Sequence, residues 1–123
     1  MAGYEDSKIY QLAKQMAVEV HQMTLNQLPQ FEMYEQGTQI RRSSKSVVAN
    51  FVEGYGRQMY KAEYTKFLTY ALASCDETKA HLELLHETRS LQPDRFQYFY
   101  DNYRKIGGML YNLRQTIINS KTT

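Results

Sequence analysis

Thr38 to Gly56, TQIRRSSKSVVANFVEGYG, constrains the fold more than any other stretch of the chain. At about 100° per residue, Ile40, Ser44, Val47 and Phe51 fall on one narrow seam. Val48 and Val52 form a second apolar row beside it, with Arg41 embedded in that row. Arg42, Ser46, Ala49 and Glu53 take the far side. A helix with two apolar rows and a buried-side arginine has more than one neighbour to satisfy. It suits the middle of a helical bundle better than its surface.

Three more helices are predicted around it. Tyr4 to Leu28 carries Ile9, Leu12, Ala13, Met16, Val20 and Met23 at three- and four-residue steps, with Glu5 and Asp6 at the positive end of the dipole. Pro29 stops it, because the residue before a proline is pushed out of the α region. Asn26 to Gly37 is then a linker, with Phe31 and Met33 tucked against the bundle. The second helix starts near Thr38 as N-cap and ends where Gly54 and Gly56 free the backbone. The third, Lys61 to Thr88, buries Tyr64, Phe67, Leu68, Ala71, Cys75, Thr78, Leu82 and Leu85. A weaker flank of it carries Tyr70, Ala73, Glu77 and Leu84. The fourth begins at Pro93, preorganised for a first helical position, and buries Phe99, Tyr103, Ile106, Leu110, Leu113 and Ile117 before fraying from Asn119 to Thr123. Gly107-Gly108 inside it costs roughly 1 kcal/mol per glycine against alanine, and close approach of a neighbouring helix is the expected return. Helices near 5–28, 38–54, 61–88 and 93–119 with short connections predict one all-α domain over residues 1–123, an antiparallel up-down-up-down four-helix bundle.

The 123 residues suffice for a real core, and the mean hydropathy of −0.63 with eleven tyrosines describes a polar, aromatic-rich chain. No run is long enough to span a membrane, and the start, MAGYEDSKIY, lacks the pattern of a signal peptide. A single cysteine, Cys75, makes no internal disulfide, so a cytoplasmic location is expected. A net charge of +2 is too small by itself to imply nucleic acid. Its distribution is uneven: from Thr38 to Lys66 six basic residues face two acidic ones.

Catalytic chemistry finds no constellation. His81 and His86 diverge by about 140° on a helix, and with His21 they make no metal set. Cys75 sits on the apolar stripe, where an inert buried thiol is the ordinary outcome. Asp76 and Glu77 are adjacent and point apart, which is wrong for acid–base partners. Gly54-Tyr55-Gly56 follows a helix instead of opening one, so it is no phosphate loop. No cofactor, metal or small-molecule substrate is indicated, and a non-enzyme is expected.

Two sets of residues have interaction chemistry. Arg41 and Glu77 lie beside apolar residues; each either snorkels to solvent or joins a partly buried ion pair, within one subunit or between two. With Val48, Asn50, Val52, Tyr70, Ala73 and Leu84 they form the candidate interface set. A single bundle needs one seam per helix, so these extra rows ask for another copy. Arg42, Lys45, Arg57, Lys61 and Lys66, with Tyr55 and Tyr60 as stacking surfaces, form the candidate nucleic-acid set. The same tyrosines and lysines equally describe an ordinary helix–helix turn.

The run LPQFEMYEQGTQIRRSSKSVVANFVEGYGR, followed by EYTKFLTYALASCDE, resembles the bacterial four helix bundle protein family. That family includes proteins encoded in intervening sequences of 23S rRNA genes. The match rests on Leu28-Pro29, Glu35, Gln39 to Arg42, Ser46, Asn50, Glu53-Gly54 and Gly56-Arg57. It continues through Glu63, Phe67-Leu68, Ala71, Ser74 and Glu77. Val48 stands where many relatives have proline, and Phe51-Val52 replaces a smaller pair. The resemblance implies a four-helix protomer, often assembled as a ring-like homopentamer. It also implies kinship with accessory proteins of diversity-generating retroelements, which bind a reverse transcriptase and nucleic acid. The expected function is a non-enzymatic oligomer with RNA or a reverse-transcriptase-like protein as candidate partner; the alternative is a protein-interaction scaffold with no nucleic-acid role.

Overall fold

Four long helices and no strand make up residues 3–121, the part of the chain that the computed structural model describes. A 3₁₀ turn, Tyr4–Asp6, leads into α1, Lys8–Asn26. The oxygen of Ser7 accepts from the backbone N–H of Ile9 and Tyr10, so a serine cap starts this helix after the two acids. A short turn α2, Gln30–Met33, follows Pro29, and then come α3, Gln36–Tyr55, α4, Lys61–Glu87, and α5, Pro93–Ile118. The fraying expected from Asn119 to Thr123 lies partly outside the described residues.

α1 packs on α3 and α5, and α4 packs on the same two helices, so α1 and α4 are diagonal. As α3 advances, its partners on α4 recede. Gln36 meets His81, Ser43 accepts from Thr78 at 2.8 Å, Ser46 meets Ser74 at 2.8 Å, and Gly54 lies under Phe67 and Tyr64. α4 and α5 show the same reversal, with Thr69 bonded by Arg114 and the thiol of Cys75 donating to the carbonyl of Tyr103. The predicted stripes supply one core: Val20, Ile40, Val47, Phe51, Leu68, Leu82, Phe99, Tyr103, Ile106 and Leu110 are all buried in it. Phe67, Leu113 and Ile117 are only half-buried, so the core tapers toward the end where α3 turns into α4.

Several local expectations are corrected. α3 begins two residues before Thr38, with Glu35 at the cap position. Gly37 is inside it, where a Cβ would sit 2.8 Å from the carbonyl of Glu32, so this glycine admits the connection instead of ending it. Gly54 acts likewise, its missing Cβ falling 3.1 Å from that of Phe67, and no glycine among the described residues has a positive φ. The Gly107-Gly108 pair, by contrast, is not required by a close helix: a Cβ at Gly107 would meet the Cys75 sulfur at an ordinary 3.5 Å, and one at Gly108 would meet open space. In the connection, Phe31 is exposed, and the buried residue is Glu32, whose carboxylate accepts from Ser90 at 2.9 Å.

α4 ends in a Schellman turn: Ser90 donates to the carbonyl of Leu85 and Arg89 to that of His86. The left-handed position belongs to Arg89, at φ 64°, where glycine would be unstrained. Arg89→Gly is expected to raise stability by about 0.5–1 kcal/mol, read as a higher urea midpoint with unchanged slope.

Candidate interaction surfaces

The second apolar row of α3 does not enter the core. Val48 and Val52 are half-buried, while Lys45 and Ala49 beside them are exposed. Together with α1 they frame a groove of about 390 Å³, lined by Lys14, Ala17, Val18, His21, Gln22, Lys45, Val48 and Ala49. Val18 is 55% exposed. The α1 half of this groove was not anticipated, although Val18, a valine off the buried stripe of its helix, was the available signal.

Arg41 closes one end of the α1–α3 contact without a carboxylate. Its guanidinium donates to the hydroxyl of Thr24 at 2.8 Å, the carbonyl of Met33 at 2.9 Å and the hydroxyl of Thr38 at 3.3 Å. Thr24 is fully buried, and its hydroxyl donates a hydrogen bond to the carbonyl of His21. One planar fork thus ties α1, the connection and the first turn of α3, a task that suits arginine's fixed donors. Glu77 is elsewhere: exposed on α4, it contacts His81 at 3.1 Å. The two do not pair within the chain. Asn50 also works internally, its amide donating to the carbonyl and hydroxyl of Ser46 at 3.0 Å each along the α3–α4 seam.

The remaining candidates on α4 point outward. Tyr70 is 47% and Leu84 51% exposed, and Ala73 and Ala80 lie between them on the same exposed face. Asp76, Glu77, Glu83 and Glu87 are exposed beside them.

Among the cations, Arg57 is bound by Glu53 at 2.7 Å and lies 4.6 Å over the ring of Phe67. Lys66 pairs with Glu63 at 2.9 Å, and Lys61 donates to the carbonyl of Ser120 at 2.7 Å. Arg57 and Lys66 therefore gather around Phe67 with acids to balance them, whereas Arg42 and Lys45, farther along α3, make no ion pair among the described residues. Tyr55 is half-buried against Phe51, and Tyr60 is exposed on the α3–α4 connection. The nucleic-acid set is thus split between two places. The i,i+4 spacing of Glu53 and Arg57 and the i,i+3 spacing of Glu63 and Lys66 were the signals for this neutralisation.

Among the described residues no three metal-ligating side chains converge, and no helix is long and apolar enough to cross a membrane. Burial pushes the Cys75 thiol up to about 12, so it carries almost no thiolate at neutral pH. The Tyr103 hydroxyl, facing Ser44, is buried without an ordinary hydrogen bond, and burial raises its pKa well above the usual phenol range.

The fold defines an all-helical bundle protein. The family model described as 23S rRNA-intervening sequence protein matches residues 5–112, and the chain belongs to that family. A 1.70 Å crystal structure of a protein of unknown function from the S23 ribosomal protein family of Bacteroides thetaiotaomicron superimposes with a TM-score of 0.80. It shares 23% identity over 86% of this chain and 97% of its own, a likeness of fold. No curated protein matches the sequence.

Proposed function

We propose that the protein is a non-enzymatic, self-assembling bundle that serves as a cytoplasmic binding scaffold. The observation that carries this is the pair of separate apolar faces left outside the core, Val18 with Val48 and Tyr70 with Leu84. Scattered exposed apolar residues need no explanation, but rows of them on two sides of a small bundle mark contact surfaces. The helices alternate direction, up-down-up-down, a reading supported by the receding partners along α3–α4 and α4–α5. Absence of catalysis is supported by the protonated, buried Cys75 and by acids that do not face one another.

Light scattering at micromolar concentration is expected to return a multiple of the 14.5 kDa protomer, with five copies the number the resemblance implies. A monomeric mass across ordinary salt overturns self-assembly.

A second reading, RNA as ligand, draws on the family's name and on Arg42, which no acid neutralises among the described residues. Titration with a structured RNA at about 50 and about 200 mM salt is expected to show affinity falling steeply with salt through counterion release. Arg42→Glu weakens it further, and Arg57 and Lys61, already engaged, contribute less. No binding at the lower salt leaves a protein-interaction scaffold with no nucleic-acid role.

A further inference from the structure

The two outer faces are complementary to each other and not to themselves. The groove between α1 and α3 has Lys14 and Lys45 at its edges, His21 beside them, and no carboxylate in its lining. The outer face of α4 sets Leu84 and the small Ala73 and Ala80 among Glu77, Glu83 and Glu87. A two-fold contact brings each surface against its own copy, which here opposes lysine to lysine or glutamate to glutamate, and like charges brought together at an interface are costly. Only a head-to-tail contact gives both surfaces the opposite charge and an apolar counterpart.

We infer that the occupant of the α1–α3 groove is a second copy of this chain, seated by the outer face of its α4, with Leu84 and its small neighbours against Val18 and Val48 and with Glu77 and Glu83 facing Lys14 and Lys45. The inference rests on the self-assembly proposed above and specifies its geometry. Because α4 is diagonal to α1, one copy uses both surfaces at once. Head-to-tail contacts of that kind propagate around a ring instead of stopping at a dimer. The half-burial of Val48, in the groove wall, then reflects a site finished by the neighbour.

Charge exchange tests it. Lys14→Glu with Lys45→Glu makes the groove acidic, and Glu77→Lys with Glu83→Lys makes the α4 face basic. Each pair alone is expected to reduce the light-scattering mass to one protomer under conditions where the unaltered protein assembles. The chain carrying all four changes is expected to reassemble. All four positions are exposed, and circular dichroism checks that each variant is helical. If the unaltered protein assembles but either pair keeps its mass, or the four-fold variant stays monomeric, the groove is not where the copies meet. A monomeric unaltered protein removes self-assembly itself and this contact with it, so the two failures are distinct.

Discussion

Leu82→Ala lowers stability by about 2–5 kcal/mol, the loss for a fully enclosed leucine whose neighbours relax only in part. Leu82 has no exposed surface and lies on the α4 stripe between Thr78 and Leu85, both also buried. On a chain of this size the loss moves the thermal midpoint by roughly 10–20 °C. Phe67→Ala, from the same stripe, costs less because Phe67 is only half-buried and roofed by Arg57 and Lys66. Equal midpoints for Leu82→Ala and the unaltered protein contradict the assignment of the core face of α4.

The second large effect is alkaline. The Cys75 thiol is held protonated by burial, its pKa raised from 9.0 to about 12. Below about pH 8.5 both folded and unfolded chains keep this proton and the group is silent. Above that the unfolded chain gives the proton up first, so stability falls with rising pH, by about 1.4 kcal/mol per unit. Across three units the loss is about 4 kcal/mol. Tyr103, raised in the same direction by burial, adds its own loss above the ordinary tyrosine value of about 10. Urea midpoints between pH 7 and 11 check this: the decline begins near 9, and in Cys75→Ala it begins about one unit higher, where the tyrosine takes over. A flat profile shows that both groups ionise freely in the folded state.

The helices and core faces were legible because a 3.6-residue period over twenty or more residues admits one structure. Their joints were not. Gly37 looks like a stop in sequence, yet it is a packing position beneath Glu32, and only the three-dimensional neighbour distinguishes the two. Glu32 itself looks solvent-bound because carboxylates usually are; its burial is met by Ser90, far away in sequence, which donates a hydrogen bond to it. Arg89 holds a left-handed turn with no glycine to announce it. The start of the first helix was misplaced as well: Glu5 and Asp6 suggest a first turn from Tyr4, yet Ser7 caps a helix that begins at Lys8. Among the surfaces, the apolar rows were visible as surplus periodicity. Their partners were not, since Arg41 is satisfied by a carbonyl and two hydroxyls, groups that leave no charge pattern to match.

The bond from Ser90 to Glu32 also sets the cost of parting the two halves of this bundle. It joins the α1–α3 connection to the α4–α5 connection, so α1 with α3 cannot leave α4 with α5 without stranding a buried carboxylate away from its donor. The connection from Gly56 to Tyr60, with Met59 82% exposed and Tyr60 68% exposed at its tip, is the segment that would cross if two copies traded halves. Such a trade restores the bond only when Glu32 of one copy meets Ser90 of the other.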